Sequence, residues 1–244
     1  MRTVLVYPDA DAVAESTGAR LLLALADAVA VRGVAHVVLT GGTVGVELLR
    51  RAARSPLAGL VDWTSVHVWW GDERFVPAGH PDRNELQAQE ALLSAVPLAE
   101  DTIHRMGASD VFVRAEDAAQ AYDTLIAHHG NPAWDVLLLG MGPDGHVASL
   151  FPGHPTYRAL GASAAREAAS AVPVENSPKP PPTRVSLTLS ALNRARETWV
   201  VAAGAEKAPA VADALRAGSA LPAAQVHGTE RTLWVLDAAA ATLI

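Results

Sequence analysis

Asp135-Val-Leu-Leu-Leu-Gly-Met-Gly-Pro-Asp-Gly-His146 decides how the rest of this chain is read. Five residues starting at Asp135, four of them aliphatic, lead into a loop of glycines, one proline, one aspartate and one histidine. A short apolar run that stops at glycine reads as a strand buried on both faces, the kind found in parallel sheets. Working outward, similar runs predict strands at Thr3–Tyr7, His36–Thr40, Ser65–Trp70, Ile103–Met106, Arg184–Leu189, Thr198–Ala202 and Thr232–Leu236. Between them lie Ala/Leu-rich amphipathic stretches. These predict helices over Asp11–Arg32 (closed by Gly33), Val44–Arg54, Asn84–Ala95, Ala115–His129, Ser190–Arg196 and Glu206–Ala217 (closed by Gly218). Such alternation implies βαβ units: a Rossmann-like, doubly wound, mostly parallel α/β sheet with helices on both faces, in one domain over residues 1–244.

Composition narrows the possibilities. Half of the 244 residues are apolar and 18% are charged, which fits a globular chain and not a disordered one. The apolar half is mostly Ala and Val, so closely packed helices on a sheet are expected to build the core. Net charge is −7 with no basic block, so neither nucleic acid nor an anionic membrane is expected as a partner. No cysteine is present, which excludes disulfides, thiolate metal sites and a cysteine nucleophile. The N-terminal apolar run is stopped by Pro8 and Asp9, and the longest stretch, Leu21 to Val31, contains Asp27 and is too short to span a bilayer. The cytoplasm is the expected location.

In an open parallel sheet, ligands bind beyond the carboxyl ends of the strands. Three predicted strands end in loops rich in chemistry: Gly41-Gly42-Thr43, Gly71-Asp72-Glu73-Arg74, and Gly140 to His146. Gly41, Gly42 and Thr43 run into a helix and have the makings of an anion cradle, with backbone N–H groups and the positive helix end supplying the attraction. A plain strand-to-helix turn with Thr43 as N-cap is the simpler alternative. Gly140 to Gly145 formally matches G-x-G-x-x-G, but Pro152 and Gly153 break the helix that a dinucleotide fingerprint needs. Glu175 also lies too far on to be its acid. No nucleotide cofactor is expected.

Of the nine histidines, His146 alone follows a fully apolar strand in a glycine loop, with Asp144 two residues before it. Its imidazole titrates near neutrality and suits proton transfer from water. His128 and His129 end a helix, where a cation complements the dipole. No G-x-S-x-G elbow and no H-E-x-x-H or similarly close His/carboxylate spacing is present, so neither a serine nucleophile nor a metal is expected; Ser149 is disfavoured. The segment Ser177-Pro-Lys-Pro-Pro-Pro-Thr-Arg184 cannot be helical and predicts a stiff surface connector. Only Lys179 and Lys207 are lysines. Lys179 reads as a surface charge, whereas Lys207 follows a strand end and can reach the glycine loop.

Taken together, Gly71-Asp-Glu-Arg74, Leu139-Gly-Met-Gly-Pro-Asp-Gly-His146 with Ala148-Ser-Leu-Phe-Pro-Gly153, and the proline connector resemble 6-phosphogluconolactonases over nearly the whole chain. The resemblance implies a Rossmann-like fold shared with glucosamine-6-phosphate deaminases, no metal, and hydrolysis of a small sugar phosphate, 6-phosphogluconolactone. It further implies His146 as general base and Arg74 at the substrate or oxyanion. Asp72 or Asp144 would orient the imidazole, and Gly42, Thr43, Arg184 and Lys207 would face the phosphate. One departure stands out: the family loop usually reads Gly-Gly-Ser-Thr-Pro, and here Val44 replaces the second hydroxyl. A deaminase carries Asn-Glu after the Gly-His pair, whereas this chain continues Ser149-Leu150-Phe151. A non-catalytic sugar-phosphate sensor would have lost His146 or Arg74.

Overall fold

The computed structural model describes residues 1–160 and 168–244. Six strands form one parallel sheet: β1 (Arg2–Tyr7), β2 (Ala35–Leu39), β3 (Val66–Trp70), β5 (Val136–Gly140), β8 (Glu197–Ala202) and β9 (Arg231–Asp237). Their spatial order is β1-β9-β8-β5-β2-β3, with every neighbouring pair parallel. From β2 the chain winds outward to β3, and from β5 it winds the other way through β8 to β9. The order reverses between β2 and β5, the position at which an open α/β sheet leaves a crevice.

Local chemistry explains the elements. Helix α1 (Ala10–Arg32) starts where the Asp9 carboxylate accepts the Ala12 N–H at 2.8 Å and ends at Gly33, whose φ of 76° suits glycine. Helix α2 (Thr43–Arg54) buries Val46, Leu48, Leu49 and Ala52 on one face and packs against α1. Helices α3 (Asn84–Ala91) and α4 (Ala115–His128) follow. Aromatic residues contribute more to the core than composition suggested. Trp69, Trp70, Trp134, Trp199 and Trp234 are all among the largest fully buried side chains. Each removes a large apolar area from water, and such burial stabilises by roughly 25 cal/mol per Å².

Several predicted elements change. Arg184–Leu189 is not a strand of the parallel sheet. Its first four residues form β7 (Arg184–Leu187), the centre of a separate antiparallel sheet, β4-β7-β6. Its neighbours are β4 (Asp72–Arg74), whose charged residues disguise it, and β6 (Ala171–Val174), whose Pro173 is tolerated because β6 is an edge strand. Ile103–Met106 meets the large sheet through one bridge only, Val68 to Ile103. The Ser190–Arg196 helix shrinks to a single turn, Leu189–Leu192, capped by Thr188. No described helix is long and apolar enough to cross a membrane.

Candidate active site

The loops after β2 and β5 flank the crevice, and a cavity of about 350 Å³ lies there. It is lined by Thr40 to Gly45, Asp72, Arg74, Asn84, Gly140 to Gly142, His146, Lys179, Arg184, Glu206 and Lys207. Every predicted site residue except Asp144 lines this cavity, and Asp144 touches it through His146.

His146 is set by its loop. The Gly145 N–H donates to the Gly142 carbonyl, and the Gly142 N–H donates to the His146 carbonyl, each at 3.0 Å, closing a tight turn. Asp144 thereby folds back on the imidazole: His146 Nδ1 lies 2.5 Å from Asp144 Oδ1. Burial alone would raise the Asp144 carboxyl, but the hydrogen bond and charge of His146 outweigh it and hold the carboxyl down to about 2. The ring rests on Phe151, centroids 4.5 Å apart. With Nδ1 engaged, Nε2 is the nitrogen left for the cavity. Gly142 has no room for a side chain, since a Cβ there would sit 2.1 Å from the ring.

Gly71-Asp-Glu-Arg74 is read differently once it is a strand. Alternate residues face opposite ways, so Asp72 and Arg74 line the cavity while Glu73 does not. Glu73 is structural. Its carboxylate accepts the N–H groups of Arg74, Asn84 and Glu85 at 2.7 to 2.9 Å, tying α3 to β4. Burial pushes its carboxyl up to about 7, against those donors and Arg83. Of the two carboxylates considered as orienters of the imidazole, Asp144 is the one in contact. Asp72 instead accepts the Ser149 hydroxyl at 2.5 Å and an Asn84 amide N–H at 3.4 Å, with Arg184 Nη1 at 3.8 Å. Arg74 donates to the Asp82 carbonyl and makes no ion pair with Asp72 or Glu73 among the described interactions.

At the other wall, α2 begins at Thr43. Its N-cap is Gly42 at φ 84°, without a side-chain cap. Thr43 is therefore not the cap, and the first turn of α2 opens its N–H groups to the cavity. Lys207 Nζ stands 3.9 Å from Glu206. Arg184 is buried and largely committed to the proline connector: Nε donates to the Pro181 carbonyl, and Nη2 to those of Lys179 and Pro180, all at 3.1 Å. The connector is thus a wall of the site and not a linker. Lys179, read from sequence as a surface charge, is half-buried and lines the cavity. Burial pushes its ammonium down; Asp144 opposes this, while Lys207 and Arg184 add to it.

Asn84 was missed altogether. It opens α3, is nearly fully buried, and donates through Nδ2 to the Asp72 carbonyl at 2.8 Å. Its Oδ1 has no partner among the described residues and lies against Gly41, where a Cβ would approach to 1.8 Å. Nothing in the local sequence distinguishes this asparagine, because Glu73 brings it to the site from eleven residues away.

The sequence model described as glucosamine-6-phosphate isomerases/6-phosphogluconolactonase matches residues 8–234. The chain belongs to this family. It is 48% identical to the 6-phosphogluconolactonase of Streptomyces coelicolor, covering 98% of this chain and 93% of that protein. With the 6-phosphogluconolactonase of Mycobacterium tuberculosis it shares 43%, over 97% and 96%. Among solved structures, the 6-phosphogluconolactonase of Trypanosoma brucei superposes with a TM-score of 0.84 at 27% identity, covering 99% of this chain and 98% of that one. A monomeric glucosamine-6-phosphate deaminase shares the fold alone, at 17% identity and a TM-score of 0.77 over 99% of this chain and all of that one.

Proposed function

We propose that this protein hydrolyses 6-phospho-D-glucono-1,5-lactone to 6-phosphogluconate, the lactone-opening step of the oxidative pentose phosphate pathway, using a water activated by His146. The observation carrying this reading is the Asp144–His146 pair: it engages Nδ1 and leaves Nε2 for proton transfer at a cavity that Lys179, Arg184 and Lys207 also line. The first turn of α2 with Lys207 and Lys179 suits a phosphate, whose binding energy positions C1 instead of doing chemistry. Water attacks C1 as His146 Nε2 takes its proton. Arg74 and backbone N–H groups stabilise the oxyanion. Collapse breaks the bond from C1 to the ring oxygen, which receives the proton from the imidazolium. The orphaned Asn84 Oδ1 is placed to accept a hydrogen bond from a sugar hydroxyl.

The step as proposed uses no metal and no nucleotide, and its setting is the cytoplasm, where sugar phosphates are made and used. The family also contains amino-sugar-phosphate isomerases. This chain continues Ser149-Leu150-Phe151 after the histidine, with no carboxylate among the three, and the Ser149 hydroxyl donates to Asp72. Acid release from freshly prepared 6-phosphogluconolactone tests the reading. Ammonia release from glucosamine 6-phosphate, with no acid from the lactone, would replace it with the deaminase.

A further inference from the structure

The opposite end of the parallel sheet from the cavity holds a second cluster of titratable groups that the hydrolysis does not use. His36 and His67 are register partners in β2 and β3, so their rings lie side by side on one face, centroids 4.8 Å apart. His104 is brought alongside when its N–H donates to the Val68 carbonyl at 2.8 Å. His129 arrives as the cap residue just after α4. His67 Nδ1 lies 2.9 Å from His104 Nε2, and the rings of His104 and His129 are 4.4 Å apart. One ring nitrogen from each of His67, His104 and His129 lies within 4.8 Å of the other two.

We propose that His67, His104 and His129 form a binding site for a divalent transition-metal ion of the zinc class. Zinc bonds to imidazole nitrogen at about 2.0–2.1 Å, which sets tetrahedral ligand nitrogens about 3.4 Å apart. The 2.9 Å between His67 Nδ1 and His104 Nε2 lies below that spacing, and the 4.8 Å limit on the three nitrogens lies above it. Three imidazoles without a carboxylate select zinc, nickel, cobalt or copper over magnesium or calcium. His67 Nδ1 and His104 Nε2 share one proton across their 2.9 Å contact, which an incoming ion would displace. The surroundings support the three rings. Trp69 stacks on His104 at 3.8 Å and donates its indole N–H to His36 Nδ1 at 3.2 Å, which makes His36 a supporting ring. Asp101 acts electrostatically on His67 in the sense that favours a nearby cation. The ligands come from β3, the segment after Thr102 and the end of α4, so an ion here would clip three separate elements together, away from the catalytic cavity. Sequence spacing gave no hint of it, because these histidines are 37 and 25 residues apart in the chain.

The test uses the full-length protein without a histidine tag, dialysed against a chelator and then freed of it. Zinc is titrated by calorimetry and cobalt(II) by absorbance, and melting is followed with and without zinc. The expected result is one ion per chain, the intense visible bands of four-coordinate cobalt, and a higher Tm with zinc. His146→Ala should keep all three, while His129→Ala should weaken binding by more than about 100-fold, the upper end of what losing an outer-shell partner alone costs. Should His129→Ala fail to melt cooperatively, His67→Gln carries the same expectation. No uptake, a six-coordinate cobalt spectrum, or uptake lost in His146→Ala but kept in the ligand variants would overturn the site.

Discussion

His146 Nδ1 and Asp144 Oδ1 stand 2.5 Å apart, a contact that joins a group suited to proton transfer with a carboxylate. A carboxylate in that position fixes the tautomer, orients the ring and stabilises the imidazolium that forms during the reaction. Asp72, the other carboxylate considered as the orienter of His146, is locked by Ser149 and Asn84. The two acids therefore predict different variants. Asp144→Asn should lower turnover by roughly one to two orders of magnitude, part of the 10²–10⁴ that a positioned general base supplies, with little change in melting temperature. Asp72→Asn should lower the melting temperature as well, since it leaves the buried Arg184 without its facing charge. A silent Asp144→Asn beside an inactive but stable Asp72→Asn would reverse the assignment.

Gly142→Ala is predicted to cost turnover without unfolding the protein. A Cβ at 2.1 Å from the His146 ring must displace that ring, while the backbone at Gly142 is open to any residue. Turnover and circular dichroism on the same preparation check this; wild-type activity would mean that the ring does not need its present place.

Arg74→Lys should be damaging although it keeps the charge. The planar guanidinium is held by the Asp82 carbonyl at the rim of the cavity and has no carboxylate partner among the described residues. A lysine cannot present the same fork. If Arg74 is structural instead, Arg74→Lys will keep its turnover and Arg74→Ala will chiefly lower the melting temperature.

Phosphate recognition is predicted to rest on Lys207 and Lys179 with the first turn of α2. At a net charge of −7 the attraction must be local. Losing one charge-assisted hydrogen bond costs about 1.5–3 kcal/mol, or roughly one to two decades in affinity. Lys207→Ala and Lys179→Ala should raise KM for the phosphorylated lactone far more than for gluconolactone. Arg184→Ala should in addition lower the melting temperature, because three connector carbonyls each lose one donor. Equal damage to both lactones in the lysine variants would remove these lysines from the phosphate site.

Those expectations show which parts of the molecule local sequence could reveal. Strands such as Val136–Gly140 are buried on both sides, so their apolar runs are unmistakable, and the loops that follow them lead straight to the cavity. Asp72–Arg74 and Ala171–Val174 were hidden because charge and proline contradict strand propensity, and only antiparallel pairing with β7 makes them strands. Lys179 and Asn84 were missed or misjudged for a related reason. Arg184 folds the proline connector over the site, and Glu73 pins Asn84 to it; both are long-range hydrogen-bond effects with no local pattern. The histidine cluster is the extreme case, assembled by the register of β2 and β3, the His104 N–H to the Val68 carbonyl and the end of α4.

The most direct test of the account is His146→Ala, assayed on fresh 6-phosphogluconolactone with kcat and KM measured separately and spontaneous hydrolysis subtracted. A general base removed from an otherwise intact site should lower kcat by roughly two to four orders of magnitude and leave KM nearly unchanged, with the melting temperature close to that of the parent. A stable His146→Ala protein that keeps more than about half of the parental kcat would contradict the assignment, since a positioned general base is worth far more than twofold.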